Sequence, residues 1–292
     1  MRIDAHIHSG LYRSYTGATE EMTEKLVKDL NTAGFGGAVL LSADPLKFTD
    51  WSPEKRIEDV KKACGGRENF YPFYWINPLE SDAVDQVKLA VDSGIAGFKM
   101  ICSNYYPGCR ESMDVLAKAA ELDKPVLFHS GDPWDGRFSG DYNRPGNFEA
   151  LIDIPKLRFA LAHVSWVWYD ECIAVYGKFN NAYGEMPETC PEMFVDLTPG
   201  TPRPWRDEVF KRLFWSEYEF KYNLMFGTDS MAEKYNISWA KEWQERDDSI
   251  WPKYMPAEEV EDFLDHVYYK NILRFMHKSD EQPERKVPPV GA

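Results

Sequence analysis

The chain has 292 residues, with 43% hydrophobic and 28% charged residues, which is enough apolar material for a sizeable core and argues against disorder. The net charge of -14 argues against nucleic acid and anionic membranes as the main partners. Five cysteines without a CxxC pair indicate free thiols in a reducing compartment. Because we find no signal peptide and no apolar run of membrane-spanning length, we expect a soluble, cytoplasmic protein.

Short apolar strands alternate with amphipathic helices from the N-terminus onward. The first predicted strand ends at His8, and Thr19 then opens a helix that has acidic residues in its first turn and ends at Gly34. The continuous apolar run over 37–42 predicts a strand that is buried on both faces. A second helix follows with Pro53 at its first position, where proline is favoured.

The same strand–helix unit recurs along the rest of the chain. Further strands are predicted over 70–77, 94–100, 124–129, 157–163, 193–197 and 223–229, and further helices over 81–91, 112–122, 148–152, 168–179, 205–218, 237–247 and 257–276. Eight such units predict a single α/β domain over 1–277 with the (β/α)8 TIM-barrel fold, followed by a flexible tail over 278–292. An open doubly wound sheet is the alternative, and the lack of Gly-x-Gly-x-x-Gly after the first strand disfavours it.

The first strand carries a candidate metal-binding pair. Side chains two apart on a strand share a face, so Asp4, His6 and His8 are predicted to point the same way. Two imidazoles about 7 Å apart along a strand can turn onto a single ion. An isolated His-x-His more often marks a half-buried strand whose histidines only form hydrogen bonds, so the interpretation depends on the other strand ends.

Further candidate ligands end four other predicted strands. They are Lys99 on strand four, His129 on strand five, His163 on strand six and Asp229 on strand eight. The active site of a barrel lies at the carboxyl ends of its strands, so we expect these side chains to converge. Such nitrogen and oxygen donors suit Zn²⁺ and tolerate Mn²⁺, Fe²⁺ or Co²⁺.

These motifs resemble the amidohydrolase superfamily of metal-dependent hydrolases. The resemblance lies in Asp4-Ala5-His6-Ile7-His8, the lone histidine after strand five, Ala162-His163 and Gly227-Thr228-Asp229-Ser230. More narrowly, they are similar to the amidohydrolase-related (amidohydrolase 2) group, which includes the aminocarboxymuconate-semialdehyde decarboxylase-like enzymes. The segment 267–274 is also similar to the final helix of that group, so the resemblance spans residues 1 to 277.

The resemblance implies a divalent metal, in the first place Zn²⁺, bound by His6, His8 and His129. It implies that Asp229 binds or abuts the metal and acts as general base, and that His163 polarises the substrate or stabilises the oxyanion. Both roles fit the chemistry of a metal-activated water. Lys99 matches either the carboxylated lysine that bridges two ions in some members or a lysine that binds substrate or nothing, and we favour one metal. Helix capping is the alternative role for Asp229.

The predicted loops after strands four to seven carry aromatic residues and arginines. Candidate substrate-binding residues are Trp134, Arg137, Arg144 and Trp166, with Arg110 and Arg203 as further arginines. Guanidinium groups pair with carboxylates in a two-pronged way, so these loops suit a planar or carboxylate-bearing small molecule. Rim packing and surface charge are the alternative for each of these residues.

Three functions stay open at this point. The first is metal-dependent hydrolysis of a small ester, lactone or amide, the second is non-oxidative decarboxylation by a lyase on the same scaffold, and the third is binding without catalysis. The complete ligand set counts against the third. We favour hydrolysis because it is the commoner chemistry of the superfamily that the motifs resemble. The resemblance also implies a homodimer, and we expect a small-molecule substrate.

Overall fold

The computed structural model describes residues 1–134, 136 and 138–279. The strands are β1 (Ile3–His8), β2 (Gly37–Leu41), β3 (Phe70–Trp75), β4 (Gly97–Met100), β5 (Val126–Phe128), β6 (Arg158–Leu161), β7 (Glu192–Asp196), β8 (Leu224–Met225) and β9 (Ser230–Met231). The α-helices are α1 (Glu20–Ala33), α2 (Pro53–Cys64), α3 (Ala83–Asp92), α4 (Arg110–Glu121), α5 (Tyr169–Glu185), α6 (Arg206–Trp215), α7 (Ile237–Ile250), α8 (Ala257–Asp265) and α9 (Asn271–Phe275). Arg137 and residues 280–292 of the predicted tail lie outside the described residues.

Local sequence signals set the ends of the first two helices. Thr19 accepts a hydrogen bond from the N–H of Met22 at 3.1 Å, and Gly34 ends α1 with a φ of 94°. Ser52 caps α2, which begins at Pro53. The helix predicted over 257–276 is continuous over 257–275 in the structure, with the π-helical turn His266–Lys270 between α8 and α9.

The strands form a parallel sheet in which β1 to β8 are neighbours in chain order and β9 flanks β1. The predicted eighth strand, 223–229, is divided: β8 pairs with β7, and β9 pairs with β1. Between them, the N–H of Ala5 donates to the carbonyl of Phe226, and the N–H of Asp229 donates to the carbonyl of His6. This segment therefore joins the first strand to the seventh, and the predicted TIM barrel is confirmed.

Apolar side chains fill the barrel and the layer between its strands and helices. Leu41, Phe73 and Phe194 pack inside, together with Phe275 of α9, and a larger cluster lies between the strands and the surrounding helices. Because this closed cylinder positions every strand end, it also positions the side chains described next. Within the described residues, no helix is long and apolar enough to cross a membrane.

The first strand is irregular, and this changes which of its side chains share a face. The register of β1 against β2 shifts between Asp4 and Ile7. Ala5 packs with the barrel interior, whereas Ile7 packs with the outer cluster, although a regular strand would place both on one face. The prediction that Asp4 shares a face with His6 and His8 is therefore wrong, since a bulge lies between them.

Candidate metal centre

The end of β1 and the turn after β8 bring three predicted ligands together. Asp229 Oδ1 lies 3.1 Å from His8 Nε2 and 3.5 Å from His6 Nε2, and the two Nε2 atoms are 3.3 Å apart. One ligand atom from each residue falls within 4.8 Å of the others. Ligands bound tetrahedrally at zinc distances lie about 3.3 Å from one another. The three residues therefore fit a divalent ion.

His129 and His163 lie beside this group. Their ring centroids are 4.9 Å apart, and the ring of His163 is 5.7 Å from that of His6. His129 is not part of the group whose ligand atoms fall within 4.8 Å of one another. Its Nε2 is nevertheless buried and has no hydrogen-bond partner among the described residues. A buried nitrogen of this kind is available to bind an ion or a substrate. Metal binding by His129 stays a prediction.

Asp196, the last residue of β7, orients His6. Its Oδ2 lies 2.7 Å from His6 Nδ1, while its Oδ1 accepts a hydrogen bond from the N–H of Thr198 at 2.8 Å. A carboxylate on Nδ1 holds the ring proton there and leaves Nε2 free to bind a metal. Asp196 was not among the residues predicted from the sequence, although it lies at the end of a predicted strand just as the others do.

Burial and local charges set the protonation states of the group. Burial, followed by the charge of Lys99, lowers the pKa of His6 well below its ordinary value. Burial also lowers the pKa of His163 to about 4, so that this ring is neutral at pH 7. Burial opposes ionisation of Asp229, but the hydrogen bond with His8 and the neighbouring histidines outweigh it and lower the pKa. Neutral imidazoles and an ionised carboxylate are the forms that bind metal.

Lys99 of β4 is 1% exposed, and its charge acts on His6. Its Nζ has no hydrogen-bond partner among the described residues. Burial lowers its pKa to about 8, against the opposing effect of Asp229 and Asp196. When protonated, the amine of Lys99 offsets the negative charge of Asp229 and Asp196. A carboxylated lysine that bridges two ions and a lysine that binds substrate or nothing both remain predictions for Lys99.

The loop after β6 holds His163 in an unusual backbone conformation. His163, Val164 and Ser165 have φ values of 64°, 47° and 55°, which side chains other than glycine rarely adopt, least of all a β-branched one. The hydroxyls of Ser165 and Ser130 lie 2.7 Å apart and tie this loop to the loop after β5. Such strain persists where the surroundings impose it and is concentrated at functional sites.

Two cavities open beside the group and share His129 and Trp134 as walls. The smaller, of about 180 Å³, also contacts Asp229, His163 and Trp166. The larger, of about 310 Å³, is lined by residues that include Lys47, Trp75, Asn77 and Tyr105. Aromatic walls beside the candidate ligands suit a planar molecule.

The predicted substrate-binding residues divide into two sets. Trp134 and Trp166 line the cavities, whereas Arg144 donates to Glu171 at 2.8 Å and lines neither of them. Arg137 lies outside the described residues. The larger cavity has Lys47, which was not predicted, and whose Nζ donates to the carbonyl of Leu11 at 3.0 Å.

Comparisons with known structures give the same fold. The chain is similar to 2,6-dihydroxybenzoate decarboxylase from Rhizobium, with 14% identity, coverage of 94% of this chain and 98% of that chain, and a TM-score of 0.61. It is also similar to a probable 2-pyrone-4,6-dicarboxylic acid hydrolase from Acinetobacter baumannii, with 10% identity, 94% and 99% coverage, and a TM-score of 0.58. A third similar structure is 5-carboxyvanillate decarboxylase from Novosphingobium aromaticivorans with bound manganese, with 10% identity, 95% and 97% coverage, and a TM-score of 0.62.

Sequence comparisons identify the family. No curated protein sequence matches the chain significantly. The family model described as amidohydrolase, however, matches residues 3–275, which include all six candidate residues at strand ends, from His6 to Asp229. Because this match covers nearly the whole chain, the protein belongs to the amidohydrolase family.

Proposed function

We propose that the protein is a metal-dependent hydrolase that cleaves a small, carboxylate-bearing ester, lactone or amide. The observation that carries this proposal is the group formed by His6, His8 and Asp229, whose ligand atoms lie within 4.8 Å of one another at the mouth of the barrel. Family membership and the similarity to a pyrone dicarboxylic acid hydrolase support it. The bound manganese of another similar structure supports a divalent ion, with Zn²⁺ as our first candidate.

His6, His8 and Asp229 would hold the ion, with His129 as a further candidate. Bound there, a divalent ion supplies a water whose pKa falls to about 7. The ionised Asp229 then accepts the proton of the attacking water and returns it to the leaving oxygen or nitrogen. Its side chain is 33% exposed and lines the smaller cavity, so a substrate can reach it.

His163 is suited to stabilise the charge that develops on the carbonyl oxygen. Its Nδ1 lies 3.1 Å from the hydroxyl of Thr198. When Thr198 donates to Nδ1, the ring proton is on Nε2, and the neutral imidazole can donate to the substrate. A donor already in place in a cavity with little water stabilises an oxyanion more effectively than one that must reorganise.

The two cavities suit a planar acid. Trp134 and Trp166 provide flat apolar walls beside Asp229. Lys47, whose Nζ lies 3.6 Å from Asp44 Oδ2, provides a cation in the larger cavity. We therefore propose that the reacting bond lies in the smaller cavity and that a carboxylate of the substrate reaches Lys47. Arg137 and Arg144 remain the alternative partners of the substrate carboxylate that the sequence predicts. Substituting Lys47 and each arginine in turn distinguishes these partners.

Non-oxidative decarboxylation is the second candidate. The aromatic cavity walls favour it, as does the similarity to decarboxylases of 2,6-dihydroxybenzoate and 5-carboxyvanillate. In that reaction the bond between the ring carbon and the carboxylate breaks, carbon dioxide leaves, and a proton replaces it on the ring. Asp229, next to the substrate, would be the proton carrier.

The decisive experiment is a paired assay on protein reconstituted with Zn²⁺ or Mn²⁺. One arm measures acid release from aromatic and pyrone-type lactones and esters, and the other measures carbon dioxide release from hydroxylated benzoates. We expect acid release that needs the ion and disappears in Asp229→Asn. Carbon dioxide release alone would establish the lyase in place of the hydrolase, and the lack of both activities in metal-loaded protein would overturn the proposal.

A further inference from the structure

Asp4 belongs to the same strand as His6 and His8 but contacts a different part of the molecule. Because the register of β1 shifts after it, its buried carboxylate reaches the turn between β8 and β9. Oδ1 accepts hydrogen bonds from the N–H of Thr228 at 2.9 Å and from the N–H of His6 at 3.2 Å. Oδ2 accepts from the hydroxyl of Thr228 at 2.7 Å and from that of Tyr235 at 2.9 Å.

Thr228 is fixed through each of its polar groups. The N–H and the hydroxyl of Thr228 both donate to the carboxylate of Asp4. The carbonyl of Thr228 accepts from the indole N–H of Trp239 at 2.9 Å. The next residue, Asp229, has a φ of 57°, in the left-handed region that side chains other than glycine disfavour. The N–H of Asp229 donates to the carbonyl of His6 at 2.9 Å. The hydrogen bonds on Thr228 therefore impose the turn from which Asp229 projects.

We propose that Asp4 is a positioning residue that clamps Thr228 and thereby sets the carboxylate of Asp229 against His6 and His8. The inference rests on the proposed metal-dependent function, but it concerns how the metal group is assembled and not which bond is cleaved. Once Asp4 releases Thr228, the turn relaxes toward an ordinary φ. Asp229 Oδ1 then leaves its place 3.1 Å from His8 Nε2.

Two hydroxyl deletions separate positioning from general stability. Thr228→Val and Tyr235→Phe each remove one hydroxyl that donates to the same oxygen of Asp4, and each leaves that carboxylate with three other donors. Tyr235→Phe loses one buried hydrogen bond. Thr228→Val loses two, because the Thr228 hydroxyl also accepts from the N–H of Ser230 at 3.3 Å, so both variants should unfold at lower temperature. Only Thr228→Val loosens the residue next to Asp229.

The measurement is Mn²⁺ titration calorimetry on the full chain, with the unfolding midpoint recorded in parallel. Thr228→Val and Asp4→Ala should weaken Mn²⁺ binding by about 10- to 100-fold, the range found when a partner that orients a metal ligand is removed. Tyr235→Phe should keep the affinity of the unsubstituted chain. Asp4→Asn should restore most of the affinity lost in Asp4→Ala, because its carbonyl oxygen can accept from the N–H of Thr228 and its amide can donate to the Thr228 hydroxyl.

Each other result has a defined meaning. If Thr228→Val and Tyr235→Phe lost Mn²⁺ affinity equally, Asp4 would stabilise the fold without positioning Asp229. If Thr228→Val bound Mn²⁺ as tightly as the unsubstituted chain, the Thr228 hydroxyl would have no part in positioning Asp229. An Asp4→Asn variant as weak as Asp4→Ala would show that hydrogen bonds to Thr228 do not account for the lost affinity, and it would overturn the positioning role of Asp4. An unsubstituted chain that binds no Mn²⁺ or Zn²⁺ would overturn the proposed function, and the inference with it.

Discussion

Arg206 and Asp247 form a two-pronged ion pair from which solvent is excluded. Nε of Arg206 donates to Oδ1 of Asp247 at 2.9 Å, and its terminal nitrogen donates to Oδ2 at 2.6 Å. The same terminal nitrogen donates to the carbonyl of Leu197 at 2.6 Å. Leu197 follows Asp196 directly, so this pair joins α6 and α7 to the strand end that orients His6.

Breaking this pair should destabilise the protein strongly. In Arg206→Met the carboxylate of Asp247 stays buried without its partner, which costs about 3–5 kcal/mol in the free energy of unfolding. Arg203→Met is the control, because Arg203 pairs with Glu242 on the surface, where both side chains are about half exposed, and exposed pairs contribute about 0–1 kcal/mol. Urea unfolding measures both variants. Equal losses in the free energy of unfolding in Arg206→Met and Arg203→Met would contradict the prediction. The double variant Arg206→Met/Asp247→Leu should be more stable than Arg206→Met, because it leaves no buried carboxylate without a partner.

A second prediction concerns acid stability. Asp262 of α8 contacts Lys221, Lys270 and His266, and the hydrogen bond with Lys221 is the main cause that lowers its pKa from 3.8 to about 2. Because the pKa in the folded state lies below the unfolded value, the carboxylate stabilises the fold above pH 3.8, and this contribution disappears as the pH falls through 2.

Asp262→Asn should therefore be less stable than the unsubstituted chain at pH 7 by less than about 1 kcal/mol, because the side chain is 48% exposed and solvent screens the charges. The difference in the free energy of unfolding should narrow below pH 4 and vanish below pH 2. Urea unfolding of both proteins at several pH values tests this. A difference that widens on acidification would show that the pKa is raised and not lowered.

A third prediction concerns the ring orientation of His6. In Asp196→Asn the Oδ1 atom still accepts from the N–H of Thr198, so the new amide nitrogen faces His6 Nδ1. An amide that donates to Nδ1 moves the ring proton to Nε2, the atom that should bind the metal. We expect Mn²⁺ affinity to fall about 10- to 100-fold in titration calorimetry while the far-ultraviolet circular dichroism is unchanged. An affinity equal to that of the unsubstituted chain would exclude this role of Asp196.

The sequence predicts the barrel and most of the candidate metal group because strands and their ends follow simple rules. A short apolar run gives a buried strand whose carboxyl end faces the mouth of the barrel, which places His6, His8 and the turn that carries Asp229. Asp196 obeys the same rule, so it could have been predicted. The bulge after Asp4 and the φ of 57° at Asp229 could not, because they arise from hydrogen bonds between segments more than 200 residues apart in the chain.

Gly200 should be required for the placement of His163. A Cβ atom on residue 200 would lie 2.7 Å from His163 Cβ and 2.9 Å from its Cγ, closer than van der Waals contact permits. Gly200→Ala should therefore displace the imidazole, and a displacement of about 1 Å can reduce kcat/KM about 10²-fold. Gly36→Ala is the control, because its new Cβ meets only the flexible side chain of Met1. Equal activity in both variants would exclude a catalytic placement of His163.

The partner of the substrate carboxylate can be identified by comparing Lys47 with the loop arginines. Lys47 lines the larger cavity, where its Nζ lies 3.6 Å from Asp44 Oδ2, whereas Arg144, Arg110 and Arg203 line neither cavity and pair with carboxylates nearer the surface. Lys47→Met should raise KM for an anionic substrate about tenfold, equivalent to about 1.4 kcal/mol, and leave KM for its uncharged methyl ester unchanged. Arg144→Met should change KM less than twofold.

The opposite pattern would assign the carboxylate to the arginines, as the sequence motifs predict. If Arg144→Met raised KM and Lys47→Met did not, Arg144 would have to leave Glu171, to which it is bonded at 2.8 Å, in order to reach the substrate. Glu171→Gln would then lower KM, because it would release the guanidinium. KM for the anionic substrate could also stay unchanged in Lys47→Met and in each of the variants of Arg137, Arg144, Arg110 and Arg203. That result would exclude the idea that any of these five side chains binds an anionic group of the substrate.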